Sequence, residues 1–381
     1  MNKYLSLLFL LFLFSCKQEK KDRLIASETF ESTENTYAKG FTIQKSASGI
    51  TIISLNSPWP NSDETFSYAL VPKEKMATIR LNKDAYDAIV SIPVERMVVT
   101  STTHITVLET LGVINSLVGF PQTEYISSKQ ARKRIDAGLV KELGRNEAIN
   151  TEIVIALKPE VVVGFGIDGQ NKAYETLRRS NIPVVYNGDW IEDTPLGKAE
   201  WIKFFAPFFQ KEVLADSIFK TIEKEYTAIK NLAKKAKTKP TVLTGGLFKD
   251  VWHVAGGKSW MAQFLNDAHT HYLWADTPEK GGIGLSLESV LDKGQNADFW
   301  LNPSMFVSYT EMKQGNRHYQ QFSAFKNQTI YSNAIEKGAT GGLLFYELAP
   351  QRPDLVLKDL LHIFHPELLP DHELFFFKPL D

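Results

Sequence analysis

Gly164, Gly166 and Gly169 fall within the stretch VVVGFGIDGQNKAYETL (161–177), where an apolar β-branched run meets a turn and then a polar segment able to open a helix. The spacing is G-x-G-x-x-G after a strand, the arrangement that lets a backbone approach a pyrophosphate, and Asp189 lies 20 positions beyond Gly169. Asn187 and Gly188 separate that aspartate from its strand, and the turn belongs to the middle of its region rather than to a first βα unit, so dinucleotide binding is disfavoured. Other catalytic arrangements lack parts. There is no G-x-S-x-G elbow and no G-x-x-x-x-G-K-[ST] phosphate loop, and the abundant carboxylates show no distinguishing spacing. Histidines at 269 and 271 share a face only on a strand and read as a surface turn, and no His-x-x-x-His pair occurs. With a single cysteine, neither an intrachain disulfide nor a thiolate zinc centre fits, and no metal site of the protein's own is expected. An exported enzyme acting on a metal complex stays open as a different class, without an assignable acid, base or redox group.

The elements that must position these residues change character along the chain. FTIQKS, GITIISLN, TFSYALVP and ATIRLN alternate in period two between turn-rich linkers, SPWPNSD above all, and predict a small antiparallel β section. From Arg96 strands and helices alternate, as in RMVVTS, THITVLETLGV, LVGF, INTEIVIALKP, EVVVGFG, AYETLRRSN and IPVVYN, which predicts a parallel sheet with helices on its faces. A helical stretch broken at Pro207 leads into a long one over about 211–237. Its apolar residues Leu214, Ile218, Ile222, Tyr226, Ile229 and Leu232 mark one face. The alternation then restarts with PTVLTGG, VWHVAGG, SWMAQFLNDA, SLESVLDKG, ADFWLNPS, QTIYSN and PDLVLKDLLHIF. The expected fold is α/β, two Rossmann-like lobes joined by one long helix with an added N-terminal β section. The expected division is 1–15 signal peptide, 16–40 tether, 41–209 first lobe with the β section, 210–237 interlobe helix and 238–381 second lobe.

The chain carries no basic stripe: 43 basic residues balance 44 acidic ones, which argues against nucleic acid as a partner. The N-terminus places the chain outside the cytoplasm. MNK precedes the apolar run YLSLLFLLFLFS, shorter than the roughly 20 residues of a membrane span and suited to a secretory signal. LFSC resembles the bacterial lipobox, which would make Cys16 the lipidated first residue of the mature chain, followed by the solvated KQEKKDR tether. The expected location is a bacterial membrane, with the lipid-anchored chain facing the periplasm.

ERMVVTSTTHITVLETLGVINSLVGF, INTEIVIALKPEVVVGFG, GIGLSLESVLDKGQNADFWLNPS and RPDLVLKDLLHIFHPEL, in that order around a long helix, resemble the cobalamin and iron-complex family of periplasmic substrate-binding proteins, the receptors of ABC importers. The resemblance covers about 96–367 and omits the β section. It implies a class III periplasmic binding fold, a monomer that captures a metal chelate without chemistry or cofactor, and a permease dimer as partner. Glu152 in INTEIV and Glu288 in LSLESV match the family's permease-docking glutamates, although a carboxylate in a first helical turn also complements the helix dipole unaided. The cleft wall then comes from loops after strands: Thr102, His104, Tyr125, Phe165, Asp168 and Trp190 from the first lobe, and Trp252, His253, Phe306 and Tyr346 from the second. The three glycines are expected to let the backbone turn tightly beside the ligand. An iron complex of siderophore type is the expected cargo, with cobalamin or haem as alternatives; a haem would draw an axial donor from His104 or His253.

Overall fold

The computed structural model describes residues 29–79, 82–166, 169 and 171–381. Cys16 and Asp168 therefore lie outside the described residues. The first lobe is built on a five-stranded parallel sheet in the order Val184–Asn187, Val161–Phe165, Met97–Val99, Leu117–Phe120 and Lys141–Glu142. Its central strands Val161–Phe165 and Met97–Val99 carry no polar side chain and are buried but for Phe165 at the end, as a parallel sheet covered on both faces requires. The helices that cover it start where the sequence supplies caps. Asn150 and Asn171 accept the backbone N–H of Ile153 and Tyr174, opening Thr151–Leu157 and Lys172–Arg179.

The second lobe repeats the plan in the order His271–Tyr272, Thr241–Thr244, Phe299–Leu301, Ile330–Ser332 and Lys378–Pro379, parallel except for the last pair. His271 thus enters an edge strand rather than a turn. A three-stranded antiparallel sheet, Gly246–Phe248, Val251–Ala255 and Gly282–Leu285, lies on this lobe. The long helix is Glu212–Ala233, about 33 Å at 1.5 Å per residue. Its buried residues are Ala215, Phe219, Ile222, Tyr226, Ile229 and Ala233, so the buried stripe is rotated from the expected one and Leu214 faces solvent. The helix touches both lobes: Lys203 meets Asp216 at 3.3 Å on one side, and Tyr226 donates to Asp267 at 2.7 Å on the other. It also packs along the closing helix Pro353–Phe364.

The added β section is a five-stranded sheet of Phe30–Thr33, Phe41–Ser46, Thr51–Asn56, Thr65–Pro72 and Ala88–Ile92, antiparallel but for its last pair. ATIRLN does not supply a strand over residues 77–79; Ala88–Ile92 takes that place. The expected tether ends earlier than residue 40. Phe30–Thr33 already pairs in the sheet, and buried carboxylates then pin the segment that follows. Glu200 accepts the N–H groups of Thr36, Tyr37 and Ala38, and Glu192 those of Lys39 and Gly40. Each of those bonds is charge-assisted, the stronger kind. No described helix is long and apolar enough to cross a membrane.

Candidate ligand cleft

The carboxyl ends of the parallel strands face a cleft shared by the two lobes, the position where open α/β sheets bind ligands. Two cavities occupy it. The larger, about 850 Å³, is walled by Trp190, Ile191, Glu192 and Asp193 of the first lobe and by Ala255, Ser259–Met261 and Lys280–Gly282 of the second. The smaller, about 420 Å³, is walled by Thr100–Thr102, Phe120–Gln122, Tyr125, Asn146 and Phe165, with Met305, Gly341, Leu343 and Tyr346 from across the cleft. Both volumes lie in the range of small-molecule sites.

Of the ten wall residues expected from the sequence, Thr102, Tyr125, Phe165 and Tyr346 come together in the smaller cavity, and Trp190 lines the larger one. Tyr125 and Tyr346 are 53% and 59% exposed, presenting open ring faces. Asp168 lies outside the described residues, and His104, Trp252, His253 and Phe306 are placed elsewhere. His104 is fully buried on the inner face of helix Thr102–Thr110, its ring 5.1 Å from that of Phe205, and burial pushes its pKa down against the pull of Asp189. Trp252 alternates inward on its strand, stacks on Trp300 at 5.1 Å and donates its indole N–H to the Thr244 carbonyl at 3.1 Å. It is core, not wall. His253, the next residue, necessarily points the other way; it is exposed but lines neither cleft cavity. Phe306 lines a pocket within the second lobe, against Tyr319.

The glycine motif serves packing. A Cβ at Gly164 would sit 2.1 Å from the Tyr174 hydroxyl, and one at Gly166 or Gly169 would sit 2.8 or 2.7 Å from the Trp59 indole. Only hydrogen at those positions admits the two rings, and Gly169 also has φ +73°. The neighbour that the turn accommodates is therefore the chain's own Trp59 rather than a ligand. Asp189 is buried and accepts the Thr103 hydroxyl at 2.8 Å, so it has no ribose to reach for.

The charges around the larger cavity are already engaged. Asp193 and Lys280 pair across the lobes at 2.6 Å. Glu192 accepts the Trp201 indole N–H at 3.1 Å besides the two N–H groups described above. Lys198, buried and pushed down in pKa by that burial, donates to the carbonyls of Asp189 and Trp190 and lies 5.3 Å from the Trp260 ring. Among the described residues, no Asp, Glu, Lys, Arg or His lines the smaller cavity. Lys249 and Lys258, the nearest cations in sequence to the expected cleft loops, line neither cavity. Sequence reasoning missed Trp59, Asn61, Trp260 and Met261. One signal was present for the first of these: a tryptophan held between two prolines in a turn, SPWPNSD.

A second set of contacts joins the lobes beside the smaller cavity. Glu347, on the short helix Leu344–Leu348, accepts the N–H of Ser127 at 2.6 Å and of Ser128 at 2.9 Å. The Ser127 hydroxyl donates to the Gly342 carbonyl, and Thr340 donates to that of Glu124. A Cβ at Gly342 would fall 2.1 Å from the Tyr125 carbonyl oxygen, so the segment crosses closely. Glu152 and Glu288 both sit exposed in first helical turns, and among the described residues neither has an ion-pair partner.

Comparison with known proteins agrees with this architecture. An uncharacterized lipoprotein of Methanocaldococcus jannaschii, MJ0878, is 25% identical over 299 residues, 76% of this chain and 69% of that one. A protein from Staphylococcus epidermidis described as a possible iron-binding (periplasmic solute-binding) protein superposes with a TM-score of 0.57 at 19% identity, covering 72% of this chain and 99% of the other. A periplasmic heme binding protein from Pseudomonas aeruginosa gives 0.57 at 17% identity, covering 76% and 98%. The family described as Periplasmic binding protein matches residues 97–333. The chain belongs to that family.

Proposed function

We propose that this protein is the substrate-binding lipoprotein of an ABC importer, taking a metal chelate into the interlobe cleft and handing it to a permease without chemical change. The observation that carries the reading is the cleft itself. Two cavities, each lined by both lobes at the carboxyl ends of parallel strands, present aromatic faces and few free charges. An anionic chelate would need Lys or Arg to orient it, and Lys280, the one cation among the described residues of either wall, is paired with Asp193. That favours a neutral chelate: a ferric hydroxamate first, then cobalamin. A haem would draw an axial donor from the phenols of Tyr125 or Tyr346 or the thioether of Met305, since neither histidine considered lines the cleft. The anchored location follows from the lipobox-like LFSC at Cys16 and fits the naming of the archaeal relative as a lipoprotein.

Glu152 and Glu288 are the proposed permease contacts, where a spaced pair of exposed charges fixes register more than affinity. The test is titration of the apo-protein with a ferric trihydroxamate, cyanocobalamin and haemin, followed by tryptophan fluorescence, with a Soret readout for haemin. Submicromolar quenching by the hydroxamate is the expected result. Binding of cobalamin or haemin alone would overturn the cargo and keep the receptor role. Turnover of any of the three would replace that role with an enzyme.

A further inference from the structure

The N-terminal β section lies outside the family match at 97–333, yet it reaches the cleft. The connection between Thr51–Asn56 and Thr65–Pro72 places Ser57 and Trp59–Ser62 in the lining of the larger cavity, facing Trp260, Met261 and Lys280. We propose that this loop is a third wall of the ligand site, so that bound chelate is held by the added sheet as well as by the two lobes, with Pro60 and Asn61 meeting its periphery. The inference rests on the receptor reading above.

Three observations show that the loop is built into the cleft. First, Trp59 is seated. It is buried, edge-on to Tyr186 at 5.3 Å and to Phe66 at 5.8 Å, in the hollow that Gly166 and Gly169 leave open. Gly166 follows Phe165, itself a wall of the smaller cavity, so Trp59 packs beside the strand end that serves that cavity too. Second, its backbone is held in a costly form. Ser57 has φ of +48°, which a serine keeps only when its surroundings impose it, and Asn61 takes φ of +59°, a left-handed turn that asparagine tolerates. The Ser57 N–H closes the loop onto the Glu64 carbonyl at 2.8 Å. Third, the sheet cannot swing away on its own. Tyr186 donates its backbone N–H to the Tyr68 hydroxyl at 3.0 Å, and Glu192, another wall residue, grips Lys39 and Gly40.

The chemistry offered by this wall is specific. Pro60 and Asn61 are exposed, and among the described residues the Asn61 side chain has no hydrogen-bond partner. An apolar ring beside a free carboxamide suits a neutral ligand whose rim carries carbonyl or amide groups, which Asn61 can both donate to and accept from. The tryptophans Trp59, Trp190 and Trp260 surround the same space and leave a slot between aromatic surfaces.

The experiment measures calorimetric affinity for whichever of the three chelates the unmodified protein binds. Asn61→Gly keeps the left-handed backbone and removes only the carboxamide, so a loss of about fivefold is expected. Pro60→Trp fills the mouth and should cost about tenfold or more. Glu31→Trp, on the outer strand of the same sheet, should bind as the parent does, and matched melting curves exclude misfolding as the cause. Parental affinity in both Pro60→Trp and Asn61→Gly would overturn the third wall and leave the receptor reading intact. Absence of binding by the unmodified protein to all three chelates would overturn both.

Discussion

Glu347 should make the stability of the joint between the lobes depend on pH. Its side chain is fully buried, and burial pushes its pKa up from an ordinary 4.5 to about 7. The N–H groups of Ser127 and Ser128 pull the other way, and the carboxylate of Glu109, which takes the Ser128 hydroxyl, adds to the rise. Between about pH 4.5 and 7 the folded protein holds a proton that the unfolded chain has released. Stability drawn from this group is therefore complete below about 4.5 and lost as pH rises through 7. A shift from 4.5 to about 7 corresponds to about 3 kcal/mol at 1.36 kcal/mol per unit. Glu347→Gln removes the titration and keeps the shape. The stability of the parent minus that of Glu347→Gln should fall by up to about 3 kcal/mol from pH 5 to pH 8, other carboxylates cancelling in the difference. Urea unfolding of the soluble chain at four pH values, with coincident fluorescence and circular dichroism transitions, measures it. A difference that stays flat, or that grows with pH, would show that the two N–H donors keep Glu347 ionised and would refute the reasoning.

Three further outcomes are expected. Glu152→Ala and Glu288→Ala should leave chelate affinity within about twofold, while transport by reconstituted importer falls, the double variant losing about tenfold or more; unchanged transport would end the docking assignment. Glu288 is ionised at neutral pH, its own backbone N–H and the Ser286 hydroxyl holding its carboxyl below the usual glutamate range. With helix Glu212–Ala233 fixed to both lobes, small-angle scattering should show a radius of gyration of about 20 Å that moves by less than about 1 Å on ligand addition; a compaction of several ångströms would mean a hinge. Fatty-acid labelling should mark the parent and spare Cys16→Ser, since stable anchoring takes more than one acyl chain on that residue; equal labelling would remove the anchor.

The fold was legible where one period dominated. VVVGF carries no polar side chain because both faces of a parallel sheet are covered, and Asn150, Ser259 and Ser286 stand as side-chain caps where helices begin. What the residues did not reveal was which side of an element meets its neighbour. The long helix carries enough apolar residues for two overlapping stripes, and Phe219 with small Ala215 and Ala233 decides between them through close packing that periodicity does not encode. His104 and Trp252 failed as wall residues for the same reason. Each follows a strand end or lies on a strand, so chain position favours the cleft, but its side-chain direction is inward. Thr102 and Tyr125 stand at the first and last positions of short helical segments that meet the strand ends, where the side chain stays at the cleft. The pinning of 36–40 was invisible because its acceptors, Glu192 and Glu200, are remote carboxylates that composition alone places on the surface.

The G-x-G-x-x-G run shows the limit of spacing most clearly. Three glycines state that something approaches the backbone closely, and nothing in their own segment states what. In a nucleotide-binding turn the approaching group is a phosphate, and helix-terminal N–H groups must be free to receive it. Here Tyr174 and Trp59 occupy the approach, one from the following helix and one from a sheet that the family core does not include. A substitution separates the two meanings. Gly166→Ala would place a methyl carbon 2.8 Å from the Trp59 ring, so the indole and its loop must shift toward the larger cavity. If Trp59 is the reason for the glycine, Gly166→Ala should lower the melting temperature of the parent and lower it much less in a Trp59→Ala background, where the hollow is already free. A double variant no better than the sum of its parts would show that Gly166 is needed for the turn itself, and the cradle would have to be given up.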